Sequence, residues 1–439
     1  MSLHAPRRRS ALALGALALT APIAAGLAGC GPNSRSGTSA ASDGGAALRM
    51  TWWGSETRTA LTTKVIDAYA ARVPEVAITA EPAEFSAYWD KLATQTAARN
   101  APDIIQMEEA YLAEYAERGA LLDLSTTSLD TSGFSEGLAA AGVVGDAGQV
   151  GIRGGSNAPV MLANRSLFEA AGVDLPDDTT WTWDEFVEVA EAITAGSPEG
   201  TYGGTQLVTN PVVLRLWLRQ HDAAIWRDGD LGFDEAAARD FFAFGERLLS
   251  SSGFAPGPAA LEDAASPLEQ SLMATGRQGL SVAWSNQAVA VSAALGEELA
   301  LLRLPSAPGS AGDSRSWLKP GLFWSIAATS AAPDQAAAFL DVLLNDTEVA
   351  SLLGVERGVP PNTEVREAVK AGLEGVELAT VEFVEAVSGE VGPDPELAPQ
   401  GGSVLESLLQ RVGEGVVSGD ADAASAASQL VEELRSAIA

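Results

Sequence analysis

Apolar and polar positions alternate through Leu48-Arg49-Met50-Thr51-Trp52-Trp53 and stop at Gly54-Ser55, the pattern of a strand and its turn. From 59 to 72 the apolar residues Leu61, Val65, Ala68 and Tyr69 recur at helical spacing. A second strand is predicted over 76–80, a helix over 88–98 with Leu92 inward, and a continuous apolar strand over 103–107. The pattern resumes after Gly154-Gly155 with a strand over Pro159–Ala163. Thr182 and Glu185 then have the spacing of a capping box, opening a helix that carries Phe186, Val189, Ala190 and Ile193 on one face. Further helices are predicted over 211–220, 234–250 and 266–275, with strands over Leu280–Trp284 and 322–326. From 333 to 439 nearly everything reads as helix, ending in an amphipathic segment with Leu430, Val431, Leu434 and Ile438. Strands alternating with helices in this way predict an α/β fold with parallel sheet covered on both faces. No internal repeat of 20–50 residues is visible.

A chain of 439 residues exceeds what one hydrophobic core usually supports, so two lobes are expected. The formal net charge of -31 repels nucleic acid and anionic lipid headgroups, which excludes nucleic-acid binding. The acidic residues are scattered over helix faces, so most read as solvated surface. Ten Trp stand against five Tyr, several of them beside turn residues. An indole offers a flat apolar face with one donor at its edge, suited to the C–H faces of sugars or to filling a core.

The first 29 residues contain Arg7-Arg8-Arg9 followed by an uncharged, Ala- and Leu-rich run, the layout of an export signal. That run ends at Leu27-Ala28-Gly29-Cys30, and Cys30 is the single cysteine of the chain. Leu-Ala-Gly-Cys at this place resembles the lipobox of bacterial lipoproteins, which implies cleavage before Cys30 and lipidation of its thiol. Residues 31–47 are mostly Gly, Ser, Ala and Thr, so 30–47 reads as a flexible tether. The expected location is outside the cytoplasm, anchored by lipid to the outer face of the cell membrane.

Seven segments together resemble the extracellular solute-binding proteins of ABC importers, in the carbohydrate-binding family that includes maltose-binding protein. They are TWWGS (51–55), NAPDIIQMEEAYLAEYAERGALLDLS (100–125), PVMLANRSLFEAAGVDLP (159–176), WTWDEFVEVAEAIT (181–194), GRQGLSVAWSNQ (276–287), GLFWSIAATSAAPDQAAAFLDVLL (321–344) and RGVPPN (357–362). Each is weak alone; in this order and behind a lipobox they are specific. The resemblance implies a two-lobed fold of the type II periplasmic-binding-protein kind, each lobe a sheet flanked by helices, with the ligand cleft between lobes. The expected division is 48–154 with 284–322 in one lobe and 155–283 with 323–439 in the other. It also implies a monomer without cofactor that captures a mono- or oligosaccharide and hands it to ABC permease subunits in the membrane.

Candidate ligand residues follow from strand ends and from the resemblance. Trp53 closes the first strand and reads as a sugar platform, with Trp52 its core partner. Glu84 and Glu108 follow the second and third strands; they read as hydroxyl acceptors or as a loop charge and a helix N-terminal acid. Trp284 ends a strand and aligns with a family position where an aromatic stacks on the sugar. Trp324 lies in a strand expected to cross between lobes, lining the cleft or packing there. Asn210 reads as a cleft donor or an N-cap, and Arg357 as a chelator of hydroxyls or as an ordinary ion-pair partner. The chain has Met107 and Ala110 where maltose-binding protein places an aromatic and an acid, so the sugar need not be maltose.

Enzymatic readings find little support. A glycoside hydrolase needs two carboxylates flanking a cleft, and no feature of the sequence selects such a pair. Nucleophilic triads would have to draw on His4 or His221, and no HExxH, CxxC or phosphate-loop motif appears. The expectation is therefore no catalytic and no metal-ligating set, with a non-sugar solute as the alternative ligand.

Overall fold

A computed structural model describes residues 45–135, 137–392 and 394–439. The signal, Cys30 and most of the tether lie outside the described residues. Strand β1 (Ala46–Trp53) leads into helix α1 (Glu56–Arg72), then β2 (Val76–Ala83), α2 (Phe85–Ala97), β3 (Ile104–Met107) and α3 (Glu109–Glu117). Two adjacent strands, β4 (Ile152–Asn157) and β5 (Pro159–Ala163), follow, then α4 (Arg165–Ala171), α5 (Trp183–Gly196) and α6 (Pro211–Gln220). A short hairpin, β6 (Trp226–Arg227) and β7 (Asp230–Leu231), precedes α7 (Glu235–Ser250) and α8 (Gly257–Ala265). Next come β8 (Leu280–Trp284), α9 (Gln287–Leu295), β9 (Ala300–Leu302) and the long β10 (Lys319–Ile326). Helices α10 (Pro333–Asn345), α11 (Thr347–Ser351), α12 (Thr363–Lys370), α13 (Gly375–Ser388), α14 (Leu405–Ser418) and α15 (Ala423–Ile438) complete the chain.

The larger sheet has the order β2-β1-β3-β10-β4 and the smaller one β8-β5-β9. β1 pairs parallel to β2 and β3, while β10 enters antiparallel between β3 and β4, so the sheet is mixed rather than wholly parallel. Side-chain parity divides β10 cleanly: Leu322, Trp324 and Ile326 face α1 and α10, and Phe323 faces α2 and α3. In the smaller sheet Val160 and Leu162 of β5 join one core and Met161 and Ala163 the other. Helices α5, α6, α7, α14 and α15 supply the second of these cores, and α12 and α13 the first. Each fully buried large side chain contributes roughly 1.5–3 kcal/mol relative to exposure, and Trp52, Trp317 and Trp324 are among the largest.

Three expectations are corrected. Ala300–Leu302 pairs with β5, whereas 319–326 and helix α10 belong to the larger sheet and its core; the expected division of 284–322 and 323–439 therefore does not follow the sheets. The predicted helix at 266–275 is a single 3-10 turn at Leu268–Gln270 with turns after it. Leu272 enters one core and Met273 and Ala274 another, so neighbouring residues part instead of sharing a helical face. Finally, Gly154 and Gly155 do not interrupt the pattern but lie inside β4. A Cβ on Gly155 would stand 2.2 Å from the Arg357 carbonyl oxygen, so glycine permits the 357–358 backbone to press against the strand. The capping box of α5 forms as its spacing predicts: Thr182 and Glu185 each bond the other's backbone N–H.

Candidate functional site

One wall of the site grows from the ends of β1 and β3. Past Trp53 the chain turns at Gly54, whose φ of 147° and whose contact with the Arg58 side chain exclude a larger residue. Arg58 donates to the Trp53 carbonyl at 3.2 Å and to both Glu356 carboxylate oxygens at 2.8 and 2.9 Å, which fixes the strand end. The Trp53 ring meets Phe85 edge-on at 5.6 Å and lies 5.5 Å from Trp89. Trp89 stacks on Tyr111 at 4.0 Å, so Trp53, Phe85 and Tyr111 form one aromatic surface on a rigid support.

The facing wall comes from the core around the smaller sheet. Trp284 ends β8, and Trp317, which precedes β10, meets it edge-on at 5.9 Å. The Trp317 indole N–H is buried and has no partner among the described residues. Helix α6 starts with Asn210 as N-cap, accepting from the Val212 N–H at 2.9 Å, and with Pro211 at the first position. Its next turn places the Arg215 guanidinium 5.5 Å from the Trp317 ring centroid. Trp226, Ser403 and Glu406 close the far side. Between the walls is a cavity of about 450 Å³, in the range of small-ligand sites.

Both cations of the cavity face a carboxylate. Glu108 caps α3 by accepting from the Ala110 N–H at 2.7 Å, and its other oxygen lies 3.0 Å from the Lys319 ammonium. Burial alone would raise the Glu108 pKa, but Lys319 and the Ala110 N–H outweigh it and hold the carboxyl below its usual value. Burial likewise opposes the Lys319 charge, and Glu108 and Glu109 overcome it, raising that ammonium above its usual value. Lys319 also sits 5.2 Å from the Trp284 ring centroid. Arg215 faces Glu109 at 3.5 Å. Burial and the charges of Glu108, Glu114 and Glu406 raise the Tyr111 phenol, which is thus a donor at neutral pH.

The structure brings Trp53, Glu108 and Trp284 into this one cavity. It places the other candidates elsewhere. Trp324 is 1% exposed and pairs with Gln106 and Ile152 in the middle of the larger sheet; only the start of β10, at Lys319 and Gly321, reaches the cavity. Arg357 is 4% exposed, donates to the Thr62 hydroxyl at 2.9 Å and lies 5.3 Å from the Trp324 ring centroid, a core role. Glu84 is exposed at the N-cap position of α2 and outside the cavity lining. Asn210 spends its side chain on the α6 cap. Among the lining residues not foreseen as ligand contacts are Phe85, Tyr111, Arg215, Trp317 and Lys319. Their signal was position, since each directly flanks a strand or helix end or lies one turn inside it. A larger groove of about 1150 Å³ is lined by Pro320 and Phe323 of β10 but lacks facing aromatic walls.

Two sheets flanked by helices, with an aromatic cavity between their cores, make the mixed α/β fold of the two-lobed periplasmic binding proteins. The chain belongs to the bacterial extracellular solute-binding protein family, which it matches over residues 64–374. It is similar to an extracellular solute-binding protein of family 1 from Alicyclobacillus acidocaldarius, with 25% identity, 89% of this chain and 98% of that one covered, and a TM-score of 0.72. A periplasmic oligogalacturonide-binding protein from Yersinia enterocolitica, solved with saturated digalacturonic acid, shares 19% identity over 90% of this chain and 100% of its own, with a TM-score of 0.75. The GacH receptor of Streptomyces glaucescens, solved unliganded and with acarbose, shares 19% identity over 90% and 98%, with a TM-score of 0.72.

Proposed function

We propose that this chain is a lipid-anchored receptor that captures a mono- or oligosaccharide in the cavity between its lobes and delivers it to an ABC permease, with no chemistry of its own. The observation that carries the reading is the pair of facing aromatic walls, Trp53 and Tyr111 against Trp284, which the buried Trp317 backs, with carboxylates and cations between them. Ring faces take the C–H faces of a sugar, and the charged groups take its hydroxyls in charge-assisted hydrogen bonds. Sugar ligands of the Yersinia and Streptomyces relatives agree with this reading. The lobes are the larger sheet with 319–351 on one side and the smaller sheet with α4–α9 and α12–α15 on the other. Closing them over a ligand gives the permease one shape to recognise.

Calorimetric titration against a sugar panel tests the claim. A carbohydrate binding tighter than ~1 mM, about -4 kcal/mol, supports it. If only a non-sugar solute binds, the same fold serves another ligand; release of reducing ends would show a hydrolase. Lipid tethering is tested separately, since Cys30→Ser should abolish fatty-acid labelling and release the protein from the membrane.

A further inference from the structure

Every cation that lines the cavity is already matched by a carboxylate. Lys319 is held by Glu108 at 3.0 Å and lies against the Trp284 ring at 5.2 Å. Arg215 faces Glu109 at 3.5 Å and lies against the Trp317 ring at 5.5 Å. All four charged side chains are largely withdrawn from solvent, from 12% exposed at Glu109 to 28% at Lys319. The remaining charged lining residue, Glu406, is exposed at the rim and forms no ion pair among the described residues. Three carboxylates therefore oppose two cations, inside a chain whose net charge is -31.

We propose that the cavity selects an uncharged carbohydrate over a uronate, and that Glu108 and Glu109 set this selection by offsetting the charges of Lys319 and Arg215. The inference rests on the carbohydrate reading above. A ligand carboxylate entering here gives up its water and adds a fourth negative charge to a lining whose two cations already face Glu108 and Glu109. That repulsion is only partly offset, because each cation is shared with a carboxylate already beside it. A hydroxyl faces no such repulsion. Each carboxylate accepts at about four lone-pair sites, and Glu108 uses only part of that capacity on Lys319 and Ala110, so sugar hydroxyls donate into what is left. The aromatic faces are indifferent to ligand charge and serve both kinds of sugar, which leaves the carboxylates as the discriminating element.

The test is calorimetric titration of the soluble mature chain with neutral trisaccharides (maltotriose, cellotriose, galactotriose) and with trigalacturonate. The expected result is saturable binding of at least one neutral sugar, with trigalacturonate at least ~100-fold weaker, the scale of a like-charge juxtaposition. Glu108→Gln, nearly the same shape, should raise trigalacturonate affinity by roughly tenfold and weaken the neutral sugar. Glu109→Gln should act in the same direction, and thermal melting confirms that each variant folds. Trigalacturonate binding the unaltered chain as tightly as the neutral sugars overturns the selection and leaves the carbohydrate reading standing. Binding of neither kind overturns both.

Discussion

Glu109 on α3 and Arg215 on α6 face each other at 3.5 Å across the cavity, joining the larger sheet's side of the molecule to the core around the smaller one. Both side chains are mostly buried, yet the pair is too long for a strong hydrogen bond. It therefore acts as a modest bias toward the closed arrangement. Glu109→Gln should weaken neutral-sugar affinity by no more than about fivefold, the scale of 1 kcal/mol. Small-angle scattering of the unliganded variant should show a larger radius of gyration, with the liganded form unchanged.

Two tryptophans separate the cavity from the core. Trp284→Ala removes a wall and should raise the dissociation constant roughly tenfold or more, with the melting temperature nearly kept. Trp324→Ala removes a fully buried ring and should cost about 3–5 kcal/mol of stability. The milder Trp324→Phe should leave affinity unchanged. Equal loss of affinity in Trp324→Phe and Trp284→Ala would show that the ring of β10 reaches the ligand.

Acid should unlock the cavity. Glu108 is held below its ordinary pKa of 4.5, so its contribution is fully present above that value and is lost as pH falls through the lower folded value. Stability measured by chemical denaturation should decline below pH 4.5, and Glu108→Gln should flatten that limb. At the alkaline end the sign reverses. Lys319 is raised above its ordinary 10.5, so its contribution is complete below that pH and is lost as pH climbs through the higher folded value.

The capping box of α5 lies outside the cavity lining and offers a control. Thr182→Ala removes the side-chain acceptor for the Glu185 N–H and should cost about 1 kcal/mol. A melting shift of roughly 2–4 °C without any change in sugar affinity is expected.

How much of this was legible in the sequence depended on the distance over which each feature is decided. The bounds of β5, β8 and α6 could be read directly, because a local apolar run or an Asn-Pro start defines each. β4 was hidden: its glycines look like a break until the 357–358 backbone is seen against them. Likewise Arg357 is bonded to Thr62, 295 residues away, and nothing near it in sequence announces burial. Trp324 stayed open between cleft and core, because both faces of its strand are apolar and only the packing against α1 and α10 decides it. Lys319 and Trp317 became cavity residues only once β10 was seen to enter the larger sheet from the cavity side.

The most direct measurement is a crystal structure of the mature chain with a sugar chosen by titration. The account predicts sugar rings between Trp53 and Tyr111 on one wall and Trp284 on the other, with hydroxyls on Glu108 and Arg215. A sugar seated in the groove beside Pro320 and Phe323, or against Trp324 after repacking of the larger sheet, would contradict it.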